Sequence, residues 1–195
     1  MSRSRKATRR TTVGREANGM ARANQQQMAT LEHLREEVLE TMQHLPFVDG
    51  SALAVLECLP LGVLRRSATQ RHGVTRWRRA ADGVLVVETV DLHPHLLGEA
   101  WDAYAKFVLY HEFIHALGWR FHDIDFRGLE ALWPDASARD FGPSFTHAMR
   151  KNRATWMWAC STCDQRFPRQ RRGNGRYMCR VCRTPLLDVP VHDAQ

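Results

Sequence analysis

Val108-Leu109-Tyr110-His111-Glu112-Phe113-Ile114-His115-Ala116 is the stretch from which the rest of the chain is read. Together with Trp101, Tyr104, Phe107 and Leu117, its apolar residues predict an apolar-rich helix from about Gly98 to Leu117. On such a helix His111 and His115, four positions apart, project from one face, one turn above the other. Two imidazoles so placed can share one tetrahedral metal ion, and Glu112, one step round, sits beside that ion without ligating it. From there a carboxylate can take a proton from a water molecule that the metal has already acidified. Histidines without such a partner would be costly in so apolar a helix.

The residues just beyond the helix strengthen the metal reading. Gly118 is placed to let the chain leave in a left-handed conformation. His122, seven residues after His115, offers the third protein ligand that a catalytic zinc with one open position requires. His147 is the rival for that place. His93 and His95, flanking Pro94, read as surface residues or as groups that support the ligands.

A second cluster lies near the C-terminus. Cys160-x2-Cys163, then fifteen residues, then Cys179-x2-Cys182 is the spacing of an all-thiolate zinc site. Four filled positions make such a zinc structural. Cys58, among Leu56, Leu59 and Leu61, reads as a buried, inert thiol, so the disulfide reading fails and a reducing compartment fits. Between the cysteine pairs runs Arg166-Phe167-Pro168-Arg169-Gln170-Arg171-Arg172-Gly173-Asn174-Gly175-Arg176-Tyr177. Arg169, Arg171, Arg172 and Arg176 can contact phosphates, while Phe167 and Tyr177 can stack on bases of single-stranded DNA or distorted duplex.

Charge is concentrated at the ends. Residues 1–16 hold six Lys/Arg against Glu16, and residues 150–183 hold ten against Asp164, in a chain of net charge +7. Basic extremities on a mildly acidic body suggest polyanion contact there, with a solubilising tail as the plainer reading of 1–16. No apolar run approaches a membrane span. The Arg/Ser/Thr-rich start is compatible with a transit peptide, yet the chain reads as intracellular.

The chain divides into three regions: a disordered basic arm over 1–16, a main domain over 17–152, and a zinc ribbon with a short tail over 153–195. In the main domain Met28, Leu31, Leu34, Val38, Met42 and Leu45 mark an amphipathic helix ended by Pro46 and Asp49-Gly50. Residues 51–90 read as β-like, with an edge strand near Val84–Asp91. Short helices are expected over 123–133 and 137–152. The fold class is α+β, with helices on a small, mostly antiparallel sheet and a separate ribbon.

Taken together, these motifs resemble the SprT-like zinc metallopeptidases, the group that includes Spartan, over roughly residues 50–188. The resemblance rests on the Val108–Ala116 stretch, on His122 with Phe126 four residues later, and on Tyr177-Met178-Cys179-Arg180-Val181-Cys182 with Leu186 after it. It departs at Asp123, where many members have Gly, and at Phe145 of Phe141-Gly142-Pro143-Ser144-Phe145, where a ligand would stand. The family likeness implies a zincin-like domain, with His111, His115 and His122 on a catalytic Zn2+ and Glu112 as general base. It further implies proteolysis of DNA-bound or DNA-crosslinked proteins, in the cytoplasm or at the nucleoid, or in the nucleus of a eukaryote. The residues alone leave two other readings open: a non-enzymatic nucleic-acid-binding zinc protein with a structural histidine site, and a zinc hydrolase acting on something other than protein.

Overall fold

A computed structural model of the chain describes residues 21–68 and 70–191. The basic arm expected over 1–16 lies outside them. The first helix, α1 (Gln25–Met42), begins at Asn24, whose side chain accepts from the Gln27 amide while the Gln27 side chain accepts from the Asn24 amide. This reciprocal pair satisfies two donors that a helix start leaves open. Its inward residues are Leu31, Leu34, Val38 and Met42, the spacing read from the sequence.

The β-like reading of 51–90 fails at its start, where α2 (Gly50–Cys58) is a helix. Asp49 does not end a helix; it caps this one, its Oδ1 accepting from the Ala52 amide at 2.8 Å. Leu56 and Leu59 turn inward, which leaves Cys58 exposed rather than buried. Arg35 on α1 joins the two helices by donating to the carbonyls of Glu57 and Leu59 at the C-terminal end of α2, where a cation meets the negative end of the helix dipole.

The main-domain sheet has three strands, β1 (Leu61–Val63), β2 (Gly73–Arg79) and β3 (Leu85–Leu92), in the order β1-β3-β2. β3 is parallel to β1 and antiparallel to β2. The segment expected at an edge is therefore the centre of the sheet, and Val90, Asp91 and Leu92 are buried there. The open edge, which lines the candidate site, belongs to β2, paired only with β3 among the described strands.

Single 3-10 turns at Pro94–Leu97 and Glu99–Trp101 lead into α3 (Asp102–Ala116), later than the start expected at Gly98. Ten of its fifteen residues are buried, because α1, the sheet and the elements after it cover it on several sides. Gly118 comes next with φ +117°, a conformation that disfavours a side chain. Beyond it come α4 (Ile124–Glu130), a 3-10 turn at Ala138–Asp140, and α5 (Phe141–Asn152). Phe145 is fully buried, edge-on to His72, His93 and Trp101. His93 belongs to this packing and is itself fully buried, not a surface residue; His95 stacks on it.

The cysteine module carries a second sheet of β4 (Trp156–Ala159), β5 (Arg166–Arg169) and β6 (Leu187–Pro190), antiparallel in the order β5-β4-β6. Its buried apolar cluster is small: Trp158 and Leu186 with Cys160 and Cys179. The fold is thus α+β with two small, mostly antiparallel sheets. No helix of the described residues is long and apolar enough to cross a membrane.

Candidate metal centre and catalytic site

α3 presents His111 and His115 from one face, and the turn after Gly118 folds His122 back onto them. His122 Nε2 lies 3.0 Å from His111 Nε2 and 3.1 Å from His115 Nε2. Beneath the three rings sits Phe126, fully buried, with centroids 4.9, 4.5 and 4.8 Å from those of His111, His115 and His122. The geometry depends on α4 beginning where it does. Asp123 caps that helix by accepting from the Phe126 amide at 3.0 Å. Asp123 therefore has a local structural role.

The far ring nitrogens fix the tautomers. His111 Nδ1 lies 2.7 Å from Glu130 Oε1, and His115 Nδ1 lies 2.6 Å from the Trp119 carbonyl. The carbonyl can only accept, and so can the Glu130 carboxylate, whose pKa its bond to His111 lowers. Both histidines therefore carry their proton on Nδ1 and turn an Nε2 lone pair toward the centre. Burial pushes His115 down to about 4 and lowers His122, so these two are neutral near pH 7, the ligating form. The three donors could hold one metal ion.

Glu112 is buried beside this cluster, and burial pushes its carboxyl above the usual range. Its Oε2 lies 2.8 Å from the Thr75 hydroxyl, which is also 2.9 Å from the Glu112 carbonyl. The close approach of β2 to α3 requires Gly73. A Cβ there would stand 2.7 Å from Glu112 Cγ and 2.9 Å from Val108 Cγ1. A cavity of about 560 Å³ opens over Glu112 and the histidines, with Gly73, Val74, Thr75 and Trp77 of β2 along its wall. No match to this chain is found among protein-family models, curated proteins or solved structures.

His147 is exposed on α5, outside both the triad and the cavity lining. Glu130, Thr75 and the Trp119 carbonyl belong to the site but carry no local signal in the sequence. Nothing in the spacing of Glu130 from His111 marks it, because the two meet through the packing of α4 on α3. The Thr75–Glu112 contact likewise depends on strand and helix meeting across the core.

At the second cluster Cys160, Cys163, Cys179 and Cys182 converge, and their sulfurs could also hold a metal. The two Cys-x-x-Cys turns have the same build. Asp164 and Arg183, each next after the second cysteine of its pair, take φ of +52° and +58°. The amides of Cys160 and Cys179 donate to the carbonyls five residues on, Gln165 and Thr184, at 2.9 and 2.8 Å. Around this cluster Arg169 is half-buried and Arg172 exposed, and each stacks on a tryptophan. Arg169 lies 4.8 Å over the Trp158 ring, and Arg172 lies 4.2 Å over Trp156. The side chains of Arg171 and Arg176 are exposed. Tyr177 stacks on Trp158 at 4.2 Å with its own ring half exposed, while Phe167 packs against the small core.

Proposed function

We propose that the chain is a zinc-dependent endopeptidase of the SprT-like type, with a zincin-like domain and a structural zinc ribbon, acting on DNA-bound or DNA-crosslinked proteins. The observation that carries this reading is Glu112, buried and held by Thr75 beside three converging imidazole nitrogens, at the wall of an open cleft.

Both donor sets suit zinc. Zn–S bonds of about 2.3 Å imply tetrahedral edges near ~3.8 Å, and Cys163 Sγ lies 3.7 Å from Cys179 Sγ. Zn–N bonds of about 2.0–2.1 Å imply edges near ~3.3 Å, close to the imidazole separations of 3.0 and 3.1 Å. Three protein ligands leave a position for water or substrate, whereas four thiolates leave none. When bound at the histidine site, zinc would polarise the scissile carbonyl and acidify water.

The protein's own groups supply the proton movements and the alignment. Glu112, made more basic by burial, takes a proton from the attacking water and returns it to the leaving amine. The Thr75 hydroxyl fixes which carboxylate oxygen faces the cleft. Glu130 and the Trp119 carbonyl hold the two helix imidazoles in the ligating tautomer. The free edge of β2 can add an extended substrate strand through backbone hydrogen bonds, which are indifferent to most side chains. Selection among proteins would then fall largely to recruitment, with Arg171 and Arg176 exposed on the ribbon for phosphate contact. Free thiols and DNA-bound substrates suit the cytoplasm, nucleoid or nucleus.

Incubating the zinc-loaded protein with a DNA-crosslinked protein, with and without added DNA, tests this reading. Cleavage that DNA stimulates supports it. A fully folded, zinc-loaded protein that cleaves nothing would favour the non-enzymatic, nucleic-acid-binding alternative.

A further inference from the structure

The cleft contains cations that neither metal binding nor proton transfer uses. Arg71 and Arg139 line it, and both are exposed. Their chain neighbours meet at one side chain, Tyr104. Arg71 leads into His72, whose Nδ1 is 2.5 Å from the Tyr104 hydroxyl. Arg139 stands three residues before Gly142, where a Cβ would come within 3.1 Å of the same hydroxyl. The acidic residues in the lining are Glu112 and Glu130. Glu112 accepts from Thr75, and Glu130 spends its hydrogen bond on His111, though it also feels the field of Arg139. Among the described residues, no ion pair ties either guanidinium to a carboxylate.

We propose that Arg71 and Arg139 form a carboxylate-binding subsite, which gives the enzyme a preference for substrates with an acidic group near the cleaved bond. This rests on the peptidase reading. Its register comes from β2. Gly73 abuts Glu112, and Arg71 precedes Gly73 by two residues. Arg71 lies just outside β2, which begins at Gly73, so a substrate strand running along that edge at about 3.3 Å per residue would bring an acidic group to Arg71 roughly 7 Å or more from the reacting carbonyl. That is two or three positions from the scissile bond, on one side of it. A guanidinium recognises a carboxylate by paired, charge-assisted hydrogen bonds. The carboxylate can be an Asp or Glu side chain or the chain terminus. A peptide suits the place better than a nucleic-acid phosphate, because the arginines share the cleft with the Glu112 carboxylate and the strand edge.

Two measurements test this separately from the peptidase reading. The first is binding of fluorescent peptides to the zinc-loaded protein and to its Glu112→Gln variant, which does not need turnover. Peptides carry Asp, its amide Asn, or neither, at each of three positions on both sides of a central bond, with free or amidated C-termini. The subsite predicts roughly tenfold tighter binding for Asp over Asn at one position. That preference should vanish in Arg71→Gln/Arg139→Gln and return in part with Lys at both. Preference retained after amidation assigns the site to a side chain; preference lost on amidation assigns it to the terminus. Equal binding of Asp and Asn peptides, or an unchanged preference in the double Gln variant, overturns the proposal. So does displacement of the acidic peptide by single-stranded DNA only when Arg71 and Arg139 are intact, with no Asp preference. The second measurement maps cleavage sites in a denatured protein mixture, where acidic residues should be enriched at that same position. If nothing is cleaved, the peptidase reading falls, while the binding series still decides the subsite.

Discussion

The histidine and cysteine clusters differ most in what lies behind their donors. The imidazoles stand on a main-domain core that includes Tyr110, Phe113, Ile114 and Phe126, all fully buried, and Glu130 and the Trp119 carbonyl orient two of them. The sulfurs have behind them little more than Trp158, Leu186 and Phe167. A core of the first size positions its ligands whether or not a metal binds. One of the second size does not fold by itself. A preformed site can leave a coordination position open for chemistry, whereas a site whose metal supplies the folding energy uses every ligand to that end.

The sharpest break between the two should come from Cys179→Ser. Structural zinc in small modules contributes about 10–16 kcal/mol of apparent binding energy to folding, so losing one thiolate should unfold the second sheet. Hydrogen exchange should show protection lost over residues 156–190 and kept on α1 and α3. Loss of protection on α3 as well would mean that the two regions fold as one unit.

At the histidine cluster the corresponding change should remove metal without unfolding. His122→Ala should lower bound zinc from two ions per chain to one and abolish cleavage, with the main domain's unfolding transition retained. His147→Ala should alter neither. Elemental analysis beside a thermal melt checks both.

Glu130→Ala tests whether the supporting hydrogen bond matters as the geometry indicates. Loss of such a partner typically costs 10–100-fold in metal affinity or activity, and competition with a chelator should place this variant in that range. Gly73→Ala is a packing test of the same wall. With a Cβ 2.7 Å from Glu112 Cγ, overpacking should cost about 1–3 kcal/mol, read as a lower denaturation midpoint.

The smallest effects are expected on the ribbon. Arg171→Ala/Arg176→Ala should reduce the salt slope of DNA binding, by about 0.7 per lost contact on single strands, with little change in stability. Arg169→Ala/Arg172→Ala should also cost about 0.5–1 kcal/mol each, through the lost stacking on Trp158 and Trp156. Free peptide should be cleaved at the parental rate by both variants.

The parts of the fold legible in the sequence are those fixed by local spacing. The step of four from His111 to His115, the step of seven on to His122, and the two cysteine pairs all place donors through helix or turn geometry. Met28, Leu31, Leu34, Val38 and Met42 likewise mark the inward side of α1. The less legible parts depend on which segment packs on which. α2 is hidden because Val55 and Leu56 suit a strand as well as a helix, and Asp49-Gly50 reads as a turn unless Asp49 is seen to cap Ala52. β3 reads as an edge because strand order is a property of the whole chain, and its parallel partner β1 is only three residues long. His93 reads as a surface residue or as a support for the ligands because nothing local reveals that α5 brings Phe145 against it.

If Glu112 is the base at a preformed metal site, Glu112→Gln should remove catalysis and nothing else. Gln keeps the size of the side chain and a carbonyl oxygen for the Thr75 hydroxyl, but it cannot take the proton. Zinc content and cleavage of a DNA-bound protein should be measured on the same preparation. Two zinc ions per chain, an unchanged melt, and turnover lower by at least about 10²-fold are expected. Cleavage at the parental rate with both ions in place would contradict that role.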